Sequence, residues 1–243
     1  MAAVCTLLTV LTVQTTARQP PEQVRSMNPT PLWMAALADS AQTMTVPPQM
    51  RPPADGGRES AVLILFGEGP AGPDVLLIQR NDGLRRHSGQ PAFPGGRIEP
   101  TDASPEAAAL REAQEETGLV PAGVDVVGRL PELYLRFSDF RVAPVLGWWR
   151  DPCEVRPTDT GEVAAVSRVP VADLADPDNR VVVRYGGGPQ WGPGFRVDGM
   201  LVWGFTGAIV DRLLTLGGWE LPWRREGLTD VFEATPQGLR LVG

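Results

Sequence analysis

Strands interleaved with two principal helices predict an α/β protein built as an α/β/α sandwich around a mixed sheet. Three stretches carry that expectation. The centre of 59–66, Ser60-Ala61-Val62-Leu63-Ile64-Leu65, is a continuous apolar run of the kind a buried strand shows. Residues 105–117 read as a helix: Ser104 is a good N-cap, Pro105 suits the first helical position, and Gly118 supplies the left-handed stop. Val202, Phe205, Ile209, Leu213 and Leu216 recur at helical spacing within 200–216, with Gly217-Gly218 closing the stretch. That stripe is core packing.

In chain order, residues 1–57 read as an irregular N-terminal arm, 58–223 as the folded domain and 224–243 as a tail. Ala2 to Val13 is an apolar run of 12 residues, too short to span a bilayer. It lacks a basic segment before it, so a secretory signal is not expected, and Met27 is an alternative translation start. Pro, Gln and Ala dominate 19–57, with one short helix around 31–42. A second strand at 74–80 pairs with the first as a hairpin across the Gly67–Gly72 turn. A polar loop over 80–90 and a short strand at Ala92-Phe93 lead into a glycine turn and the first helix. Strands follow at 125–130, 132–137, 141–149 and 163–169, then a short helix at 171–174, and strands at 180–185 and 194–197. Trp219, Leu221 and Trp223 pack back onto the domain.

The chain has 243 residues and a formal charge of −7. Every basic residue is Arg, and no basic run provides the electrostatic footprint of a nucleic-acid binder. Cys5 and Cys153 are far apart and have no CxxC partner, which argues against a disulfide framework or zinc site and suits free thiols in the cytoplasm. No stretch predicts a membrane span.

The chemistry concentrates between Phe93 and Leu119. At 100° per residue, Glu112, Glu115 and Glu116 fall within roughly a 100° arc of the helix, away from Leu110, Ala113 and Thr117. Like charges so placed repel by about a few tenths of a kcal/mol per pair even when exposed. Arg111 offsets one charge through its i,i+4 relation to Glu115. A hard divalent cation with oxygen ligands, Mg²⁺ or Mn²⁺, would offset the rest. Upstream, Arg80, Arg85 and Arg86 are suited to bidentate contacts with phosphate oxygens, and backbone N–H groups around Gly89, Gly95 and Gly96 add donors. His87, the only histidine, reads as a loop-structuring group.

Gly96, Arg111-Glu112-Ala113, Glu115-Glu116 and Gly118-Leu119 together resemble the Nudix box, G-x5-E-x7-R-E-U-x-E-E-x-G-U. Two departures stand out: Asp102 replaces the first Glu, and eight residues rather than seven separate it from Arg111. Leu76, Leu77, Arg80, Arg85, Gly89 and Phe93 to Gly96 are similar to the additional signature of the coenzyme A pyrophosphatases in that family, L-L-T-x-R-S/A-x3-R-x3-G-x3-F-P-G-G. Ile78 stands in place of its Thr and Asn81 in place of its Ser or Ala. The resemblance implies the Nudix α/β/α fold with its loop-helix-loop, and metal-dependent hydrolysis at the pyrophosphate of a nucleoside-diphosphate-linked small molecule, in the first place coenzyme A or an acyl derivative. It implies metal ligands at Glu112, Glu115 and Glu116, catalytic roles for Arg111 and Glu115, and substrate contacts from Arg80, Arg85, Gly95 and Gly96. Glu162, just before a late strand, takes the place of a general base by analogy with related enzymes. Paired subunits are common in that family, so a homodimer is expected. The rival readings are a Nudix hydrolase of ADP-ribose, a dinucleotide or a damaged nucleotide, and a silent nucleotide-binding domain. Retention of all three helical Glu argues against the silent domain.

Overall fold

Arg58–Gly69 forms β1, and its alternation explains why the whole stretch is apolar. Ala61, Leu63 and Leu65 enter one buried cluster, whereas Ile64 and Phe66 enter another on the opposite face. A strand covered on both faces has no solvent side to mark with polar residues. The computed structural model describes residues 29–81, 89–136, 138–184 and 191–224, together with backbone strands at 228–229, 232–235 and 238–241.

β2 (Gly72–Arg80) returns antiparallel to β1, with Phe66 opposite Val75 and Gly69 opposite Gly72, as the expected hairpin. Further along, the two strands part. β3 (Pro91–Ala92) pairs with the distal half of β2, Ile78 opposite Ala92. β4 (Gly95–Arg97) pairs with the proximal half of β1, Val62 opposite Gly95. The Leu63 N–H donates to the Pro94 carbonyl at 2.8 Å. Phe93-Pro94-Gly95-Gly96 is therefore a wedge seated in the fork between β1 and β2, and Phe93 is buried there.

β5 (Val124–Arg129), β6 (Leu133–Leu135), β7 (Phe140–Trp149) and β8 (Val163–Pro170) complete an eight-stranded sheet. β7 runs parallel to β1, with Val62 opposite Pro144 and Phe66 opposite Trp148. β5 and β6 pair antiparallel with β7, and β8 antiparallel with β2, so the sheet is mixed as expected.

Helices cover both faces. The short helix expected around 31–42 is α1 (Leu32–Gln42), whose Met34, Leu37, Ala38 and Ala41 are buried. That i, i+3, i+4, i+7 pattern gives one apolar stripe, a helical signal that outweighs the Pro-rich flanks. Trp33 packs edge-on against Phe66, Trp148 and Trp219 at 5.7, 5.8 and 5.1 Å between ring centroids, tying the segment to the domain. α2 (Pro105–Thr117) lies alone among the helices on the face of Ala61, Leu63 and Leu65. α3 (Val171–Ala175) and α4 (Gly204–Leu216) pack with α1 on the other face.

β9 (Arg180–Arg184), β10 (Trp191–Val197) and β11 (Met200–Val202) form a second antiparallel sheet, joined by β12 (Leu228–Thr229) parallel to β9. β13 (Phe232–Thr235) and β14 (Gly238–Leu241) are a separate hairpin. The helix expected from residue 200 begins only at Gly204. Asp198 and Gly199, both at positive φ (50° and 69°), make a tight turn that commits Met200–Val202 to pairing with β10. Trp219 packs back onto the core as expected, but Leu221 is 49% exposed. Among the described residues no helix is long and apolar enough to cross a membrane.

Candidate active site

The glycine wedge and α2 meet edge to face. Small residues on α2, Ala108, Ala109 and Ala113, are fully buried against β1 and β7 and bring the helix axis close to the sheet. The helix ends are set locally: the Ser104 Oγ accepts the Ala107 N–H at 3.3 Å, and Gly118 adopts φ 71° while its N–H donates to the Gln114 carbonyl. With the helix fixed, Glu112 and Glu116, one turn apart, face the glycine turn.

Glu116 is only 5% exposed. Its Oε2 accepts the Gly95 N–H at 2.9 Å, and its Oε1 lies 3.8 Å from Nη1 of Arg80, at the end of β2. Glu112 is half-buried and lies directly on Gly96, where a Cβ would sit 2.4 Å from the carboxylate carbon. Burial raises the pKa of both acids. For Glu112 it outweighs the Arg111 guanidinium. For Glu116 it outweighs the Gly95 N–H and Arg80, and with Glu112 and Glu162 adding negative charge the carboxyl is pushed up to about 7.

Arg111 organises the other side. Its Nε and Nη2 donate to the two oxygens of Asp102, both at 3.0 Å, and Nη2 also donates to the Arg97 carbonyl at 3.0 Å. Nη1 donates to Glu112 Oε1 and to Glu115 Oε2, each at 3.1 Å. Asp102 in turn accepts the Glu99 N–H at 2.8 Å. These hydrogen bonds, that from Arg111 foremost, hold the Asp102 carboxyl below its usual range and raise the Arg111 pKa. Asp102, whose role the motif left open, anchors Arg111. Replacing Asp102 with Asn should lower turnover about 10- to 100-fold with little change in melting temperature, because it loosens the group that orients Glu112. Steady-state kinetics alongside thermal unfolding would check this, and full activity would remove Asp102 from the site.

The three helical acids are thus not placed alike. Glu112 and Glu116 point at the glycine turn, whereas the Glu115 side chain is 58% exposed and held by Arg111. Among the described residues no three acidic, histidine or cysteine side chains already converge at metal-ligand spacing. The donor chemistry still fits a hard divalent cation. Two buried or half-buried carboxylates face one turn, a third at Glu162 is close enough to raise both their pKa values, and the positive charge at Glu116 is a single guanidinium 3.8 Å away.

Glu162 reaches this neighbourhood through a loop tied at both ends. Thr158 bonds to the Glu116 carbonyl through its N–H at 3.2 Å and to the Glu115 carbonyl through its hydroxyl. At the other end the Asn81 N–H donates to the Glu162 carbonyl at 2.8 Å, and the Asn81 amide to the Thr160 carbonyl at 2.6 Å. Asn81, a departure from the upstream signature, therefore holds the Glu162 loop against β2. Ile78, the other departure, is fully buried. Arg85, Arg86 and His87 lie outside the described residues. Sequence reasoning missed the anchoring by Asp102 and the Arg80–Glu116 pair. The signal for Asp102 was present in its bidentate match to Arg111, whereas the Arg80 contact depends on sheet register.

A mixed sheet between helical layers, with a glycine wedge presented to an acidic helix, defines an α/β/α protein with a carboxylate-rich site. The NUDIX domain model matches residues 57–185, more than half of the chain, and the chain belongs to the Nudix family. It is 44% identical over 126 residues to an uncharacterized Nudix hydrolase, NudL, of Cronobacter sakazakii, covering 52% of this chain and 64% of that protein. It is 42% identical over 125 residues to the NudL protein of Escherichia coli K12, covering 51% and 64%. The chain thus matches less than two thirds of the length of these curated relatives. A solved Nudix hydrolase of M. smegmatis, RenU, is 21% identical, with 70% of this chain and 92% of that one covered and a TM-score of 0.49. Nudix hydrolases generally use divalent metals such as Mg²⁺ or Mn²⁺.

Proposed function

We propose that this chain is a metal-dependent hydrolase that cleaves the pyrophosphate of a nucleoside-diphosphate-linked small molecule, and that its substrate is coenzyme A or an acyl derivative. Water adds across the P–O–P bond, and the products are adenosine 3′,5′-bisphosphate and 4′-phosphopantetheine, the latter still S-acylated when the substrate is an acyl derivative. The observation that carries the hydrolase reading is the approach of Glu112 and Glu116 to the glycine turn, with Glu162 beside them.

Glu112 and Glu116 would hold the cation, with Glu115 on the same helix in reserve. When bound, Mg²⁺ or Mn²⁺ supplies positive charge to the pyrophosphate oxygens and makes water more acidic. Arg111 is a positioning residue: it orients Glu112 and Glu115 and is itself fixed by Asp102. Glu162 accepts the proton of the attacking water. Gly95 and Gly96 keep the turn low enough for the acids to face it, and Arg80 and Arg85 bind phosphate oxygens. Such positioning and charge stabilisation supply most of the rate in phosphoryl transfer.

The coenzyme A assignment is supported by the signature over Leu76 to Gly96, within which the buried Ile78 and the loop-holding Asn81 serve local structure rather than ligand contact. Product analysis tests it. The protein is incubated with Mg²⁺ or Mn²⁺ and, separately, coenzyme A, acetyl-coenzyme A, ADP-ribose, NADH and 8-oxo-dGTP. Preferred release of adenosine 3′,5′-bisphosphate is the expected result. Cleavage of ADP-ribose or NADH with coenzyme A intact would keep the chemistry and remove the substrate assignment.

A further inference from the structure

Arg80 occupies an unusual place for a residue assigned to substrate. Its backbone is clamped: the Arg80 N–H donates to the Gln90 carbonyl at 3.2 Å, and its carbonyl accepts the Gly89 N–H at 3.1 Å. These two bonds close the base of the loop that follows β2. A register shift between Gln79 and Arg80 in the pairing with β8 marks the same point. The side chain is tied much less tightly. It is 28% exposed, and its Nη1 stands 3.8 Å from Glu116 Oε1, beyond hydrogen-bonding distance.

Glu116 gives the pairing its meaning. Its side chain is 6% exposed. One carboxylate oxygen is engaged by the Gly95 N–H, and the other faces Arg80 alone among the cations of the described residues. A buried carboxylate needs a counter-charge. A divalent cation on the same oxygen would repel a guanidinium at that distance, so the two cations compete for one acceptor. Arg80 has somewhere else to go: its side chain is 28% exposed, and the reading above assigns it to the pyrophosphate.

We propose that Arg80 is an exchangeable counter-ion. It partly offsets the charge of Glu116 in the metal-free protein, leaves that carboxylate as metal is taken up, and then binds the phosphate of the incoming substrate. Metal and pyrophosphate binding thereby reinforce each other: each makes available, or occupies, what the other displaces. This rests on Glu116 being a metal ligand. It adds a linkage between two ligands that neither motif contains.

The test is equilibrium binding of Mn²⁺ to metal-free protein, read by electron paramagnetic resonance of the free ion. It compares wild type, Arg80→Gln and Arg80→Lys, each with and without methylenediphosphonate, a non-hydrolysable pyrophosphate analogue. Arg80→Gln should bind Mn²⁺ about tenfold more tightly alone, because the competitor is gone. The analogue should tighten Mn²⁺ binding about tenfold more in wild type than in Arg80→Gln. Arg80→Lys retains the charge and should stay near wild type in the absence of the analogue. If Arg80→Gln binds Mn²⁺ with unchanged or weaker affinity and the same response to the analogue, the exchange is wrong and the pair is merely structural. Should Arg80→Gln fail to fold, a Lys variant that binds Mn²⁺ as tightly as wild type but gains nothing from the analogue would equally overturn it. If wild type binds no Mn²⁺ at all, the metal-hydrolase reading itself falls with it.

Discussion

Replacing Glu116 with Gln should lower kcat/KM by about three orders of magnitude while making the metal-free protein more stable at alkaline pH. The first effect corresponds to about 4 kcal/mol of lost transition-state stabilisation. Gln matches Glu in shape and keeps an oxygen that can accept the Gly95 N–H, so the loss reads the charge and not the packing. The second effect follows from the burial of an acid beside other acids. The Glu116 carboxyl is pushed from the usual 4.5 up to about 7 in the fold.

The sign follows from proton linkage. Between pH 4.5 and about 7 the folded protein keeps a proton that the unfolded chain has released. Rising pH through that window therefore lowers stability, by at most on the order of 3 kcal/mol above neutrality. Gln carries no charge and escapes that penalty. Metal should reverse the order: an ion binding only the folded state at a thousand times its Kd adds about 4.1 kcal/mol, more than that penalty, and a variant without the Glu116 charge should gain little of it. Thermal unfolding at pH 8.5 should therefore rank Glu116→Gln above wild type in EDTA and below it in Mg²⁺. At pH 5 in EDTA the two should nearly coincide. A variant that melts below wild type in EDTA at pH 8.5 would show that Arg80 and the Gly95 N–H offset the cost of burying that charge in full.

What could be read from the residues and what could not divides along the range of the forces involved. The ends of α2 depend on Ser104 and Gly118 acting within one turn, and both are plain in the sequence. The hairpin of β1 and β2 is likewise local. The division of the three helical acids is not. A helical wheel groups Glu112, Glu115 and Glu116, yet only the close approach of Ala108, Ala109 and Ala113 to the sheet decides that Glu116 is buried under Gly95 while Glu115 meets solvent. The extra residue before Arg111 is a departure from the motif that lies in the loop before the helix. In the fold the loop closes so that Asp102 grips Arg111 with both oxygens. At Met200–Val202 the helical spacing was real but idle, because a two-residue left-handed turn had already set those residues into a strand. Contacts such as Arg80 with Glu116 join residues far apart in the chain and arise only from the fork between β1 and β2.

That fork makes Gly95 and Gly96 separable, and their Ala variants should fail in opposite ways. A Cβ on Gly95 would lie 2.4 Å from the Ala61 carbonyl oxygen and 2.6 Å from the Val62 Cα. Both are backbone atoms of the central strand, which is paired on its other edge with β7. Neither can yield without disturbing the sheet, so Gly95→Ala should cost about 3 kcal/mol, or on the order of 10 °C in melting temperature for a chain of this size. A Cβ on Gly96 would instead lie 2.4 Å from the Glu112 carboxylate carbon and its Oε1. That is the far end of a flexible side chain, which swings aside at a cost of roughly 1 kcal/mol or less. The displaced group is, however, the acid that Arg111 holds toward the turn. Gly96→Ala should therefore melt within about 3 °C of wild type and lose on the order of a hundredfold in turnover. Measuring melting temperature and kcat for both variants tests the pair together. A Gly96→Ala protein that is stable and fully active would show that Glu112 need not lie against the glycine turn for the site to work.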